Sequence, residues 1–217
     1  MSDAAVVTEV EGAEPDDRNK IEILAAILLG LAGLLTAYAA YYGALAGGDA
    51  LKGYTQSQRT LQDANSYYND TLGYFNQDQS VFLQYQVKVE EGADDVADVI
   101  RTTLFSDRLE TAYALWNELP EADETPSPLD LPEYVIEEEG LADDLYEQAQ
   151  QEFVDAQQID DQGDNMDLAS VFLAVSLFFA GIAGLFKIRR MSIILLVFSS
   201  VLIVPGFWAI GKGKAWW

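Results

Sequence analysis

AILLGLAGLLTAYAAYYGALAGGDALKGYTQSQ, residues 26–58, reads as one helical frame that crosses from an apolar to a polar environment without a break. Alternating steps of four and three residues from Ala26 reach Gly30, Gly33, Ala37, Ala40, Ala44 and Gly47. The same frame continues through Leu51, Tyr54, Gln58, Leu61, Asn65, Tyr68, Leu72 and Phe75. Small residues give way to large ones where the apolar stretch ends. In hydrocarbon, Ala and Gly let helix backbones approach closely, whereas in water a coiled seam needs larger side chains to bury. The frame therefore predicts a transmembrane helix that continues as a helical stalk and packs along its length, within the chain or against another one.

The rest of the 217-residue sequence extends this reading. Ile23 to Ala46, Leu168 to Phe186 and Met191 to Ile210 each approach the roughly 20 apolar residues that span a bilayer. The predicted fold is an all-α membrane protein with three transmembrane helices, 21–47, 168–187 and 191–211. A flexible acidic tail, 1–20, precedes them, a basic turn, 188–190, joins the last two, and 212–217 form a short C-terminal tail. The hydroxyl residues inside the spans, Thr36, Ser170, Ser176, Ser199 and Ser200, are expected to bond back to their own helices. In the first span Ile27, Leu31, Leu34, Tyr38, Tyr41 and Leu45 form a large-residue face opposite the small one, and Gly181 and Gly184 of the second span offer it a partner.

The net charge is −24, and segment 48–167 alone carries 29 acids against five bases, which accounts for all of it. Self-repulsion on this scale is tolerated most readily where concentrated salt shortens the Debye length to a few ångströms, so the composition resembles that of an extreme halophile. It argues against nucleic acid as a partner. Arg18 and Lys20 flank the first span, and Lys187, Arg189 and Arg190 lie between the second and third. With three spans both clusters fall on one side, which the positive-inside rule makes cytoplasmic. The N-terminus is then inside, and segment 48–167 and the C-terminus are extracytoplasmic. Tyr41, Tyr42, Trp208, Lys212, Lys214, Trp216 and Trp217 read as interfacial anchors through indole or phenol rings and snorkelling amines. Ala44-Leu45-Ala46 has the form of a signal-peptidase site, but the apolar stretch is too long and its leader too acidic for a signal peptide.

Segment 48–167 reads as helix. Leu51 to Val89 keeps the four-three frame, with Gln58, Asn65, Gln79 and Gln86 as polar members that fix register. A second helix is expected over Ala93 to Leu119, a proline loop over Pro120 to Pro132, and a third helix from Glu133 to about Ile159. Whether it runs on through Gly163 into the second span is left open by the sequence, since a helical glycine costs only about 1 kcal/mol. An antiparallel stalk, made by the outgoing and returning helices and capped by the middle one, satisfies the pattern.

Few residues carry chemistry. The chain has no Cys and no His, which removes disulfides, thiolate and imidazole metal sites and the commonest general base. No nucleotide or nucleophile-elbow motif occurs, so neither an enzyme nor a cofactor is expected. Asp160, Asp161, Asp164 and Asp167 are the best candidates for a divalent cation, though they lack the spacing of an EF-hand loop. Asn69-Asp70-Thr71 is a glycosylation sequon. No span has an ionised residue in its interior, which counts against a pump or an ion-coupled transporter.

The layout resembles a family of three-span prokaryotic membrane proteins, the domain of unknown function 4337. The likeness rests on the Ala/Gly-rich end of the first span followed by Gln56-Ser57-Gln58 and Asn65-Ser66-Tyr67-Tyr68, and on two final spans joined by Lys187-Ile188-Arg189-Arg190. It implies architecture and brings no activity. The expected function is a non-enzymatic, oligomeric membrane scaffold or interaction protein, with membrane lipids and either copies of itself or other membrane proteins as partners. A channel or transporter subunit with a cation-attracting acidic mouth is the alternative.

Overall fold

The computed structural model describes residues 15–119, 127–186 and 188–214. Within them the order is α1 (Pro15–Glu90), α2 (Asp94–Leu104), α3 (Asp107–Trp116), a 3-10 turn (Pro128–Asp130), α4 (Glu137–Ala183) and α5 (Arg189–Gly213). No strand occurs among the described residues. The unbroken frame of the sequence is thus a single 76-residue helix. It starts inside the segment expected to be a tail. It ends where Gly92, at φ +69°, takes the left-handed conformation that only glycine adopts cheaply. Gly92 N–H then bonds to Val89 O and Ala93 N–H to Lys88 O, both at 3.0 Å, the paired closure of a Schellman motif. The third long helix begins at Glu137 rather than Glu133 and does run through Gly163, reaching Ala183.

Three helices, the apolar parts of α1 and α4 and the whole of α5, are long and apolar enough to cross a membrane. The chain divides into two compact units. In the first, residues 1–53 and 154–217, α1 and α4 run antiparallel: Leu29 lies by Gly181, Gly33 by Leu177, Ala46 by Gly163 and Gly53 by Ala156. The buried positions on α1 are Ala25, Ala32, Ala39, Gly43 and Ala50, with Leu28, Leu35 and Tyr42 half-buried among them. On α5 the buried positions Ser192, Leu196, Ser199, Gly206, Ile210 and Gly213 keep the same four-three rhythm. Seven-residue spacing of this kind belongs to helices crossing at a shallow angle. Met166, Leu173 and Ile210 fill the space between the small residues.

The second unit, residues 54–153, continues the spacing with different chemistry. Ser57, Ala64, Thr71 and Asp78, seven apart, are buried on α1, and Ala142 and Ala149 are buried on α4. Ser57 Oγ donates to Ala149 O at 2.7 Å, and Thr60 Oγ1 donates to Glu152 Oε2 at 2.8 Å. The expected single helix over 93–119 is two helices. Ser106 breaks it: with extended backbone, it caps α3 by accepting the Leu109 N–H. Phe82, Leu109 and Tyr113 form the core here, with Tyr85, Phe105, Trp116 and Tyr134 around them. In the expected proline loop, Pro128 is buried in the 3-10 turn, while residues 120–126 lie outside the described residues.

Candidate functional site

The small-residue stripe predicted from the sequence and the seam that packs within the chain are different faces of α1. Ala26, Gly30, Ala37, Ala40, Ala44 and Gly47 are all exposed, and a Cβ placed on Gly30 or Gly47 would meet nothing within 4 Å. Gly33 alone is half-buried, against Leu177. Gly181 and Gly184 are exposed too. The packed seam lies one or two residues earlier, and the physical reason is volume. Positions 25, 28, 32, 35, 39 and 42 alternate small and large, so that backbones approach and the space between is filled. The all-small frame offers approach without filling. Alanine doublets at 25–26 and 39–40 hide the distinction from a pattern search.

The glycines that do meet a neighbour closely are others. A Cβ on Gly53 would stand 2.8 Å from Ala156 Cβ, one on Gly206 would stand 2.8 Å from Leu173 Cγ, and one on Gly213 would stand 2.9 Å from Gln162 O. A Cβ on Gly43 would meet Asp167 Oδ1 at 2.6 Å. Gly206 follows Pro205, and α5 continues as helix through both.

Two of the membrane hydroxyls differ from expectation. Thr36, Ser170 and Ser200 bond back to Ala32 O, Met166 O and Leu196 O. Ser176 and Ser199 bond across instead: each donates to the other's carbonyl at 2.9 Å, with the two hydroxyl oxygens also 2.9 Å apart and both residues fully buried. The interhelical route wins because the two serines face each other at a close crossing, where each can satisfy a carbonyl on the neighbouring helix. At the end of α5, Lys214 Nζ lies 3.1 Å from the Tyr42 ring centroid and Lys212 Nζ lies 4.7 Å from that of Trp208. Lys214 thus ties α5 to α1 through a cation–π contact. Tyr41 is exposed, and Trp216 and Trp217 lie outside the described residues.

Asp160, Asp161, Asp164 and Asp167 sit in the continuous helix α4, and no group of three or more carboxylates converges among the described residues. Asn69 is exposed in the middle of α1, while Thr71 of its sequon is buried and donates to Tyr67 O at 3.0 Å.

The densest polar constellation is in the second unit and was not foreseen from the sequence. Asp78 is 1% exposed, and one of its carboxylate oxygens accepts from Ser106 Oγ at 2.9 Å, Arg108 Nε at 2.7 Å and Tyr134 Oη at 2.8 Å. Arg108 also lies 4.8 Å from the Tyr74 ring centroid. Burial pulls the Arg108 guanidinium down, but its bonds to Tyr134 and Asp78 outweigh this and its pKa is raised. Burial, then the bond to Asp78, pushes the Tyr134 phenol up to about 12. Beside it Tyr85 and Tyr113 share a 2.6 Å hydroxyl contact, and burial, then that bond, pushes Tyr113 up to about 12. Arg101 lies over the Tyr113 ring and is chelated by both oxygens of Glu110. Asp78 of α1 is bonded to the Ser106 cap and Arg108 of α3 and to Tyr134 ahead of α4, so the cluster clamps these elements together. The one sequence signal for it is that Asp78 is the only acid in the seven-residue series 57, 64, 71, 78. No protein-family model, curated protein or solved structure matches the chain.

Proposed function

We propose that this protein is a non-enzymatic, homo-oligomeric membrane scaffold that presents an acidic helical module on the outer face of the membrane, in a high-salt environment. The observation that carries the reading is the exposed Ala/Gly stripe of α1. Ala26, Gly30, Ala37, Ala40 and Ala44 are exposed among the described residues of one chain, while the large residues on the neighbouring face, such as Leu34 at 74% exposure, suit lipid. Small residues at close spacing on a membrane helix favour association with another helix. Arg18, Lys20, Lys187, Arg189 and Arg190 support a cytoplasmic N-terminus by the positive-inside rule.

The test uses the absence of native cysteine. Ala37→Cys should form a disulfide-linked dimer under mild oxidation in detergent at molar salt, whereas Leu34→Cys, on the lipid side, should not. Native mass measurement should report more than one chain per particle. A strict monomer, or equal cross-linking at both positions, refutes the assembly.

A further inference from the structure

We propose that the first unit holds one anionic phospholipid, with an acyl chain along a groove on α5 and the phosphate on Arg190 at the groove's basic end. The groove, of about 340 Å³, is lined by Ile21 and Leu24 of α1 and by α5 from Ile193 to Val204. Ala25 and Leu196 share one core cluster and Ala39 and Ile210 another, so α1 and α5 run parallel and start at the same end. Leu196, clustered with Ala25 and Ala183, is buried and makes the floor. Val197, Val201 and Val204 stand above it at 57%, 59% and 69% exposure. Ser200 also lines the groove, and its hydroxyl is spent on Leu196 O. Among the described residues the groove thus offers a ligand only hydrocarbon.

Length, shape and charge select the occupant. From Ile193 to Val204 a helix rises about 16 Å, close to one leaflet of a hydrocarbon core about 30 Å thick. An acyl chain whose headgroup sits at the start of α5 fills the groove from headgroup to midplane. A further transmembrane helix fits it poorly, because the walls are branched side chains where close helix approach needs Gly or Ala. The small residues of α1 lie elsewhere. At about 100° per residue, Ala26 stands about 140° or more around α1 from Ile21 and Leu24, so the groove does not depend on the assembly proposed above.

Arg189 and Arg190 precede Ile193 by four and three residues, which puts both one turn below the groove, on either side of its line. Lys20 precedes Leu24 by four residues on α1. All three bases are exposed, as is Glu22 beside them. Residues 15–22 and 187–190 together carry five bases against three acids, in a chain whose net charge is −24. Among the described residues Arg190 enters no ion pair. A planar guanidinium matches a phosphodiester with two parallel hydrogen bonds. A contact at that range lies within the roughly 3 Å Debye length of molar salt, so it persists where longer-range attraction is screened.

The full-length protein is purified in detergent at a salt concentration where circular dichroism reports the native helix content. It is offered equal amounts of phosphatidylglycerol and phosphatidylcholine with the same chains, and native mass measurement counts the lipids retained per chain. The expected result is one tightly held lipid per chain, with phosphatidylglycerol favoured at least about tenfold, or about 1.4 kcal/mol. Arg190→Gln, at an exposed position, should cut that preference about fivefold, or about 1 kcal/mol, the worth of one base at a lipid surface. Val201→Trp, which fills the groove from its exposed wall, should reduce retention of both lipids with helix content unchanged. Glycerol phosphate, a headgroup without chains, should not displace the bound lipid. Equal retention of the two lipids, an undiminished preference in Arg190→Gln, or undiminished retention in Val201→Trp overturns the proposal. Displacement by glycerol phosphate also overturns it, and makes the site one for a free phosphate ester. Loss of the oligomer in Val201→Trp overturns it too, and assigns the face to a second copy. A single chain that still selects phosphatidylglycerol refutes the scaffold and supports the groove, while an intact oligomer without selection refutes the groove alone.

Discussion

The two units use the same seven-residue rhythm on the same two long helices, and in the second polar residues join the buried alanines. In the first unit the buried positions of α1 are Ala25, Ala32, Ala39, Gly43 and Ala50, and α4 and α5 share a pair of neutral serines. In the second, Ser57, Thr60, Thr71 and Asp78 are buried beside Ala64, Val81 and Phe82, and the seven-residue series ends in a carboxylate with an arginine on it. Spacing sets which residues face a partner helix, and the surrounding medium sets what those residues can be. Lipid rewards close backbone approach because association there gains little from hiding apolar surface. Water permits polar seams, since polar groups in the separated helices lose less, and the unit recovers apolar burial elsewhere, in the rings around Phe82.

The sharpest way to break this contrast is to remove the carboxylate. Asp78→Ala leaves the Arg108 guanidinium, the Tyr134 hydroxyl and the Ser106 hydroxyl facing an empty position. Deleting one partner of a buried pair costs about 3–5 kcal/mol. The expected result is loss of near-ultraviolet circular dichroism from the tyrosine and tryptophan cluster at a temperature where the far-ultraviolet signal of the long helices persists. If both signals fall together, the clamp is not local to the second unit. Asp78→Asn keeps the shape and part of the bonding, and should fall between wild type and Asp78→Ala.

Alkali attacks the same place by another route. Tyr113 and Tyr134 both titrate at about 12 in the folded chain, against about 10 for an ordinary phenol. A raised acid pKa means that the fold prefers the neutral form. That preference contributes fully below pH 10 and is lost as pH climbs from 10 through 12. The aromatic circular dichroism should therefore decay across this window, together with tyrosinate absorbance. A fit requiring ordinary phenol values for all the tyrosines would show that the cluster is not buried as described.

How much of this could be read in the sequence depends on which physical quantity the sequence encodes. Hydropathy is summed over a span, so the three long apolar helices were legible. Phase is not: Ala25 and Ala26, or Ala39 and Ala40, differ by 100° around α1 while looking alike. The choice between them turns on whether Leu28, Leu35 and Tyr42 fill the gaps on α4 and α5, which is a property of the pair of surfaces. The break at Ser106 was legible in kind, as a Ser at an N-cap position, but Val96, Ile100, Leu104, Ala112 and Leu115 kept a helical stripe running past it. Asp78 was hidden among 36 acids, because burial of one carboxylate depends on Arg108 and Tyr134, 30 and 56 residues away.

A smaller effect is expected where helices are closest in the first unit. Gly206→Val would place a Cβ 2.8 Å from Leu173 Cγ, a fully buried side chain with little room to move. Overpacking of this kind costs about 1–3 kcal/mol. Gly53→Val should behave similarly against Ala156, whereas Gly30→Val, with open space around its Cβ, should leave the chain's own fold unaffected. The measurement is retention of helical circular dichroism after heating in detergent at a dilution where native mass shows single chains, with Gly30→Val as the internal control. An equal loss in Gly30→Val would mean that glycine is needed along α1 for backbone reasons rather than for contact with α4 or α5.

The smallest effect separates the two chemistries most cleanly. Ser176 and Ser199 together supply two protons and four acceptors, so the three short contacts between them use each proton once, to a carbonyl, and leave the hydroxyl oxygens side by side. Ser176→Ala therefore deletes one bond and frees Ser199 to keep its own. Interhelical bonds of this type in membranes average about 0.6 kcal/mol, because a hydroxyl separated from its partner can still turn back to a carbonyl on its own helix, as Thr36, Ser170 and Ser200 do. Each single alanine variant should lose about that much. The double variant should lose close to the sum, since the two bonds share no proton. A coupling much above 1 kcal/mol in that cycle would instead place these serines with Asp78, as a cooperative polar clamp whose parts cannot be removed one at a time.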